Sequence, residues 1–94
     1  MKYIQLSSHV YLKHNESSDS YYLFCLDSGK HYRLNETGYD IVKLIQEGRD
    51  KPEIAKWICK TYNITIESCE QDIDELFRFL SENDLLIKRG GSYD

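Results

Sequence analysis

The sequence predicts a single α+β domain: a three-stranded antiparallel sheet followed by three helices, in a winged-helix-turn-helix-like arrangement. Its 94 residues allow one modest hydrophobic core and leave no room for a second. Apolar residues alternate with polar ones in the first third of the chain, then recur at helical spacing after Asn35. Cap and stop residues divide that helical stretch into three pieces.

The strands come first. His9 to His14 alternates apolar and polar residues, as a half-buried strand does, and Asn15 to Ser20 is a polar loop. Tyr21 to Leu26 is a near-continuous aromatic and aliphatic run, suited to a central strand covered on both faces. Asp27-Ser28-Gly29 supplies turn chemistry, and Lys30-His31-Tyr32-Arg33-Leu34 returns as the third strand of a meander.

The helices follow. Asn35 is an N-cap, Glu36 suits the positive end of the helix dipole, and Ile41, Leu44 and Ile45 share one face. Gly48 stops this helix. Asp50, Pro52 and Glu53 open the second, whose apolar face is Ile54, Ile58 and Tyr62. Asn63 suits the left-handed conformation that ends a helix, and Thr65 or Ser68 caps the third, which runs to about Asn83. Its core side carries Cys69, Ile73, Leu76, Phe77 and Leu80. Leu85 to Lys88 reads as a short closing strand or packed tail. The domain therefore spans residues 1–89, with 90–94 a flexible tail.

Composition excludes several functions. Asp and Glu number 16 against 12 Lys and Arg, a net charge of -4 that gives no pull toward phosphate backbones or anionic lipid. Met1 to His14 has no apolar signal region and no apolar run spans a bilayer, so a cytoplasmic protein without membrane partners is expected. Cys25, Cys59 and Cys69 are odd in number and widely spaced, which suits buried free thiols. Neither they nor His9, His14 and His31 show metal-ligand spacing, so no metal and no cofactor is expected.

Helix-turn-helix architecture raises DNA binding as an alternative. The third helix would have to enter a groove lined by phosphates, yet it carries Glu67, Glu70, Asp72, Asp74, Glu75, Glu82 and Asp84 against a single Arg78. Lys88 and Arg89 do not offset them. No nucleic-acid partner is expected. Catalysis finds no support either: there is no phosphate-cradling glycine loop, nucleophile elbow or metal-binding helix. Asp72 and Glu75 lie one turn apart, but such pairs on acidic amphipathic helices are ordinarily solvated surface. No catalytic residue is assigned. A structural subunit docked on a larger enzyme remains a further alternative.

Residues 27–86 carry a resemblance. The block Leu26-Asp27-Ser28-Gly29-Lys30-His31-Tyr32-Arg33-Leu34-Asn35-Glu36-Thr37-Gly38 is its most specific part. It continues through Ile41, Leu44, Gly48, Ile54, Tyr62-Asn63-Ile64, Asp72-Ile73, Phe79-Leu80 and Leu85-Leu86. Together these resemble the pyrroloquinoline-quinone biosynthesis protein D (PqqD) family. They resemble more closely the stand-alone leader-binding proteins (RiPP recognition elements) of lasso-peptide and related ribosomal-peptide pathways. Asn83-Asp84 departs from the glycine that often precedes the final apolar pair; asparagine serves the same capping role.

The resemblance implies a module that binds the leader of a precursor peptide as an extra antiparallel strand. A separate leader peptidase or radical SAM maturase then acts on the same peptide. On this view Lys30, His31, Tyr32, Arg33 and Leu34 supply the strand edge. Helical spacing is compatible with a groove beside it. With Ile73 and Leu80 at the centre of the core face, Leu76 lies to one side, Phe79 falls well outside, and Asp72 and Glu75 share the outer flank. Phe79 either walls such a groove or packs under the closing strand near Ile87; spacing allows both. Lys30 and Arg33 equally suit an edge blunted against aggregation.

Overall fold

The computed structural model describes residues 3–83 and 85–89. The expected tail at 90–94 and Asp84 lie outside the described residues. Strand β1 (Tyr3–Leu6) is followed by β2 (Val10–Asn15), β3 (Ser20–Cys25) and β4 (His31–Leu34). Helices α1 (Glu36–Gln46), α2 (Lys51–Tyr62) and α3 (Ile66–Glu82) come next, and β5 (Leu86–Arg89) closes the chain. The main sheet is antiparallel in the order β2-β3-β4, so β4 is an edge strand. This is the α+β meander-then-helices arrangement that the change of period predicts.

Local chemistry explains each boundary. Gly29 takes φ +71°, and its N–H donates to Cys25 O at 2.8 Å, closing the turn before β4. Asn35 Oδ1 accepts the Gly38 N–H at 2.7 Å and starts α1. Gly48, at φ +85°, ends that helix with its N–H on Ile45 O. Asp50 and Glu53 form a reciprocal capping box at 3.0 and 3.2 Å. Asn63 takes the left-handed conformation at φ 54°, and Thr65, not Ser68, caps α3 by accepting the Ser68 N–H.

One core lies between the helices and a single face of the sheet. Leu23, Ile41, Ile45, Ile54, Ile58, Ile73, Leu80 and Leu85 are all fully buried. Val10, Leu12, Leu23, Cys25, Tyr32 and Leu34 share the inner sheet face. Cys25 and Cys69 are buried, Cys59 is partly so, and all three thiols are free. Cys69 Sγ donates to Ala55 O at 3.4 Å, as a small apolar residue with a weak donor does.

The structure departs from the sequence reading in two places. Tyr21 to Leu26 was expected to be covered on both faces, but only alternate residues, Leu23 and Cys25, are buried. Tyr22 and Phe24 lie on the outer face, shielded by the His31 ring and not by a second layer. Leu76 and Phe77 pack half-buried against the core, on the side the spacing predicts, and the Lys51 ammonium lies over the Phe77 ring, 5.3 Å from its centre. Finally, β1 was not anticipated. It pairs antiparallel with β5, and Leu6 and Leu85 seal one side of the core.

Candidate functional site

The hydrogen bonds of β4 show which of its backbone groups are unpaired. Cys25 N–H donates to Lys30 O at 3.0 Å, so Cys25 and Lys30 form a hydrogen-bonded pair. Antiparallel alternation makes Leu23–Tyr32 and Tyr21–Leu34 the next such pairs. His31 and Arg33 therefore turn their N–H and C=O groups away from β3, toward the open edge.

A groove of about 350 Å³ runs along that edge. Arg33 and Leu34 border it on the strand side, Asp72, Glu75, Leu76 and Phe79 of α3 form the opposite wall, and Asn35, Thr37, Gly38 and Ile41 lie between. Tyr32 meets Phe79 edge-to-face, with ring centres 5.5 Å apart at 76°, which ties β4 to α3. Of the residues singled out from sequence, Arg33, Leu34, Asp72, Glu75, Leu76 and Phe79 thus converge on one groove, with Tyr32 braced behind Phe79. His31 does not join them: its side chain lies on the outer sheet face, tilted against the Phe24 ring with centres 4.9 Å apart. Lys30 precedes the strand and contributes a carbonyl to β3.

Spacing on α3 gave no hint of the contribution from α1. Gly38 is buried in the groove floor, and a Cβ there would lie 3.1 Å from the Asn35 cap oxygen and 3.6 Å from Leu34. The sequence signals were Gly38, a glycine inside the first turn of a capped helix, and the place of Asn35 to Gly38 and Ile41 in the block that carries the resemblance. Its lack of a side chain lets Leu34 and the cap sit close together.

Charge is arranged unevenly along α3. Asp74 is engaged by Lys51 at 2.5 Å. Asp72 and Glu75 are exposed at the rim and, among the described residues, hold no hydrogen bond or ion pair. They can receive a cation without giving up an existing partner. Away from the groove, Tyr62 donates its hydroxyl proton to Asp40, and burial with that carboxylate pushes its pKa well up. This bond joins α2 to α1. No group of three His, Cys, Asp or Glu side chains able to hold a metal occurs among the described residues. No helix there is long and apolar enough to cross a membrane.

The family model described as coenzyme PQQ synthesis protein D (PqqD) matches residues 20–86. The chain belongs to the PqqD family. Solved structures extend the likeness of this PqqD-family chain over nearly its whole length. TbiB1 in complex with the TbiA(beta) leader peptide superposes with a TM-score of 0.78 at 29% identity, covering 96% of this chain and 99% of that one. A lasso peptide synthetase B1 complexed with the leader peptide gives 0.78 at 23% identity, over 89% and 96%. The PqqD truncation of Methylobacterium extorquens PqqCD, a stand-alone RiPP recognition element, gives 0.76 at 22% over 89% and 87%. At that identity the last two speak for the fold alone. Among curated proteins, none matches the sequence.

Proposed function

We propose that this chain binds the leader segment of a ribosomally made precursor peptide as a further antiparallel strand on β4, and presents it to a separate leader peptidase or modifying enzyme such as a radical SAM maturase. The observation that carries the proposal is the pairing of an open strand edge with a groove of mixed lining, walled in part by Leu76 and Phe79, whose acidic rim is unengaged. The outward N–H and C=O groups of His31 and Arg33 supply sequence-independent affinity, and the half-buried Leu76 and Phe79 supply apolar contact above the buried Ile41 and Leu34. Asp72 and Glu75 set register by favouring a Lys or Arg beside the leader's apolar anchors. TbiB1, which is solved with a leader peptide on the same fold, supports this reading.

The protein itself catalyses nothing on this reading. Its contribution is effective concentration: a held leader turns each encounter between enzyme and peptide core into a near-intramolecular one. The free thiols suit a cytoplasmic setting. The test is a titration of the N-terminal half of a precursor-like peptide encoded beside this chain. Saturable binding, micromolar or tighter, that is lost when proline replaces a leader-strand residue is the expected result. No binding by any such peptide would leave a docking subunit as the better account.

A further inference from the structure

The leader groove does not stop where β4 stops. A second hollow, of about 430 Å³, continues it past Leu34. The two share Arg33, Leu34 and Asn35, and the second is bounded beyond them by Asp19, Ser20, Tyr21 and Glu36. Register accounts for the continuity. Tyr21 stands opposite Leu34, so the turn between β2 and β3 and the first residue of α1 flank the same end of the strand.

Polarity decides what reaches this hollow, and here the inference rests on the strand-addition reading. β4 runs from His31 to Leu34. A strand added antiparallel to it begins beside Leu34 and ends beside His31. Leader residues upstream of the paired segment therefore pass over Asn35 and into the second hollow. About three extended residues, at ~3.3 Å each, cover ~10 Å of it.

The chemistry there favours a cation. The Tyr21 ring is held by stacking on His14, with centres 4.4 Å apart, and by Tyr39 at 4.8 Å. Two exposed carboxylates stand beside it. Glu36 holds no hydrogen bond or ion pair among the described residues, and Asp19 has a 3.4 Å contact with His14 Nε2. Burial raises the pKa of the Tyr21 phenol, and Asp19, Glu36 and Asp40 raise it further, so the field of these carboxylates reaches the ring. Arg33 also lines the hollow, but register turns its side chain to the outer face with Tyr22. An aromatic ring flanked by carboxylates attracts an ammonium or guanidinium both through its face and by charge.

We propose that this hollow is a second recognition point for the leader, taking a Lys or Arg placed just upstream of the segment that pairs with β4. The leader is then read at two linked sites, and a peptide with suitable apolar anchors but no upstream base is bound less tightly.

The experiment titrates the full chain with the leader peptide encoded beside it. Three forms are compared: the native leader, one with its upstream Lys or Arg changed to Gln, and one with the same residue changed to Glu. Each is measured against wild type and against Asp19→Asn with Glu36→Gln. Asparagine tolerates the left-handed backbone at position 19, φ 53°, and glutamine keeps the helical propensity at 36, so the pair spares the fold. Wild type should bind the native leader about five- to tenfold more tightly than the Gln form, and the variant should bind the two alike. Binding of the Gln form by the variant as by wild type reports an intact groove. Equal affinity of wild type for the native and Gln forms overturns the second recognition point and leaves strand addition standing. A native leader with no Lys or Arg within about five residues upstream of its paired segment, the reach of the hollow, does the same. Tighter binding of the Glu form overturns it too, and assigns the hollow to an acidic residue met by Arg33 and the N-terminus of α1. Failure of every form to bind wild type overturns both readings.

Discussion

Phe79 shows how one side chain joins packing to recognition. Half-buried and edge-on to Tyr32, it is held from one side and bare toward the groove. Phe79→Ala should weaken leader affinity about tenfold or more by isothermal titration, the scale of losing an aromatic anchor. Asn35 acts through α1: Asn35→Ala removes the cap on Gly38 N–H and should cost about 1 kcal/mol in urea unfolding. Tyr62 makes a pH-dependent prediction. Its folded pKa is raised above the ordinary 10.0, so the stability of the Asp40 bond is fully present below that pH and declines as pH rises past it. Tyr62→Phe should therefore be less stable than wild type at neutral pH, by about 1 kcal/mol. The gap should shrink and reverse above pH ~10, where only the wild type's unfolded state gains from ionising this phenol.

At the scale of elements, the β4 edge and the α3 wall make separable demands. Alternation leaves only His31 and Arg33 to pair outward, so N-methylation of the leader residues bonded to them should lower affinity, and N-methylation of the intervening residues should not. A leader strand that tolerated methylation at every position would sink the strand-addition model. On the wall, Asp72→Asn with Glu75→Gln should reduce the salt dependence of leader binding, since both acids stand exposed and unengaged. Asp74→Asn should leave that salt dependence unchanged, because its carboxylate is already satisfied by Lys51.

For the whole molecule, the β1–β5 ribbon joins the two ends of the described chain and closes the core that holds groove and sheet in one body. Leu6 is 7% exposed, so Leu6→Ala should cost about 2–4 kcal/mol by chemical denaturation, comparable to a core truncation elsewhere. Because no residue of the ribbon lines the groove, leader affinity at low temperature should survive the change as long as the variant stays folded.

Local chemistry made most of the fold legible in the sequence. Asn35, Gly48, Asp50-Pro52-Glu53 and Asn63 act within a few residues of themselves, so helix boundaries follow from short-range capping and left-handed preferences. The same holds for the acidic flank of α3, whose positions follow from helical spacing alone. What the sequence could not determine depends on residues far apart in the chain. β1 is a strand because β5 lies beside it, and four residues carry too little period to announce that pairing. Tyr22 and Phe24 read as buried because hydrophobicity does not say whether a second layer exists; only tertiary packing left that face open. The groove itself belongs to no single element. It exists because Tyr32 on Phe79 ties β4 to α3 while a glycine at 38 lets α1 sit close to Leu34, and such spacing is a property of three-dimensional packing that one-dimensional periodicity cannot encode.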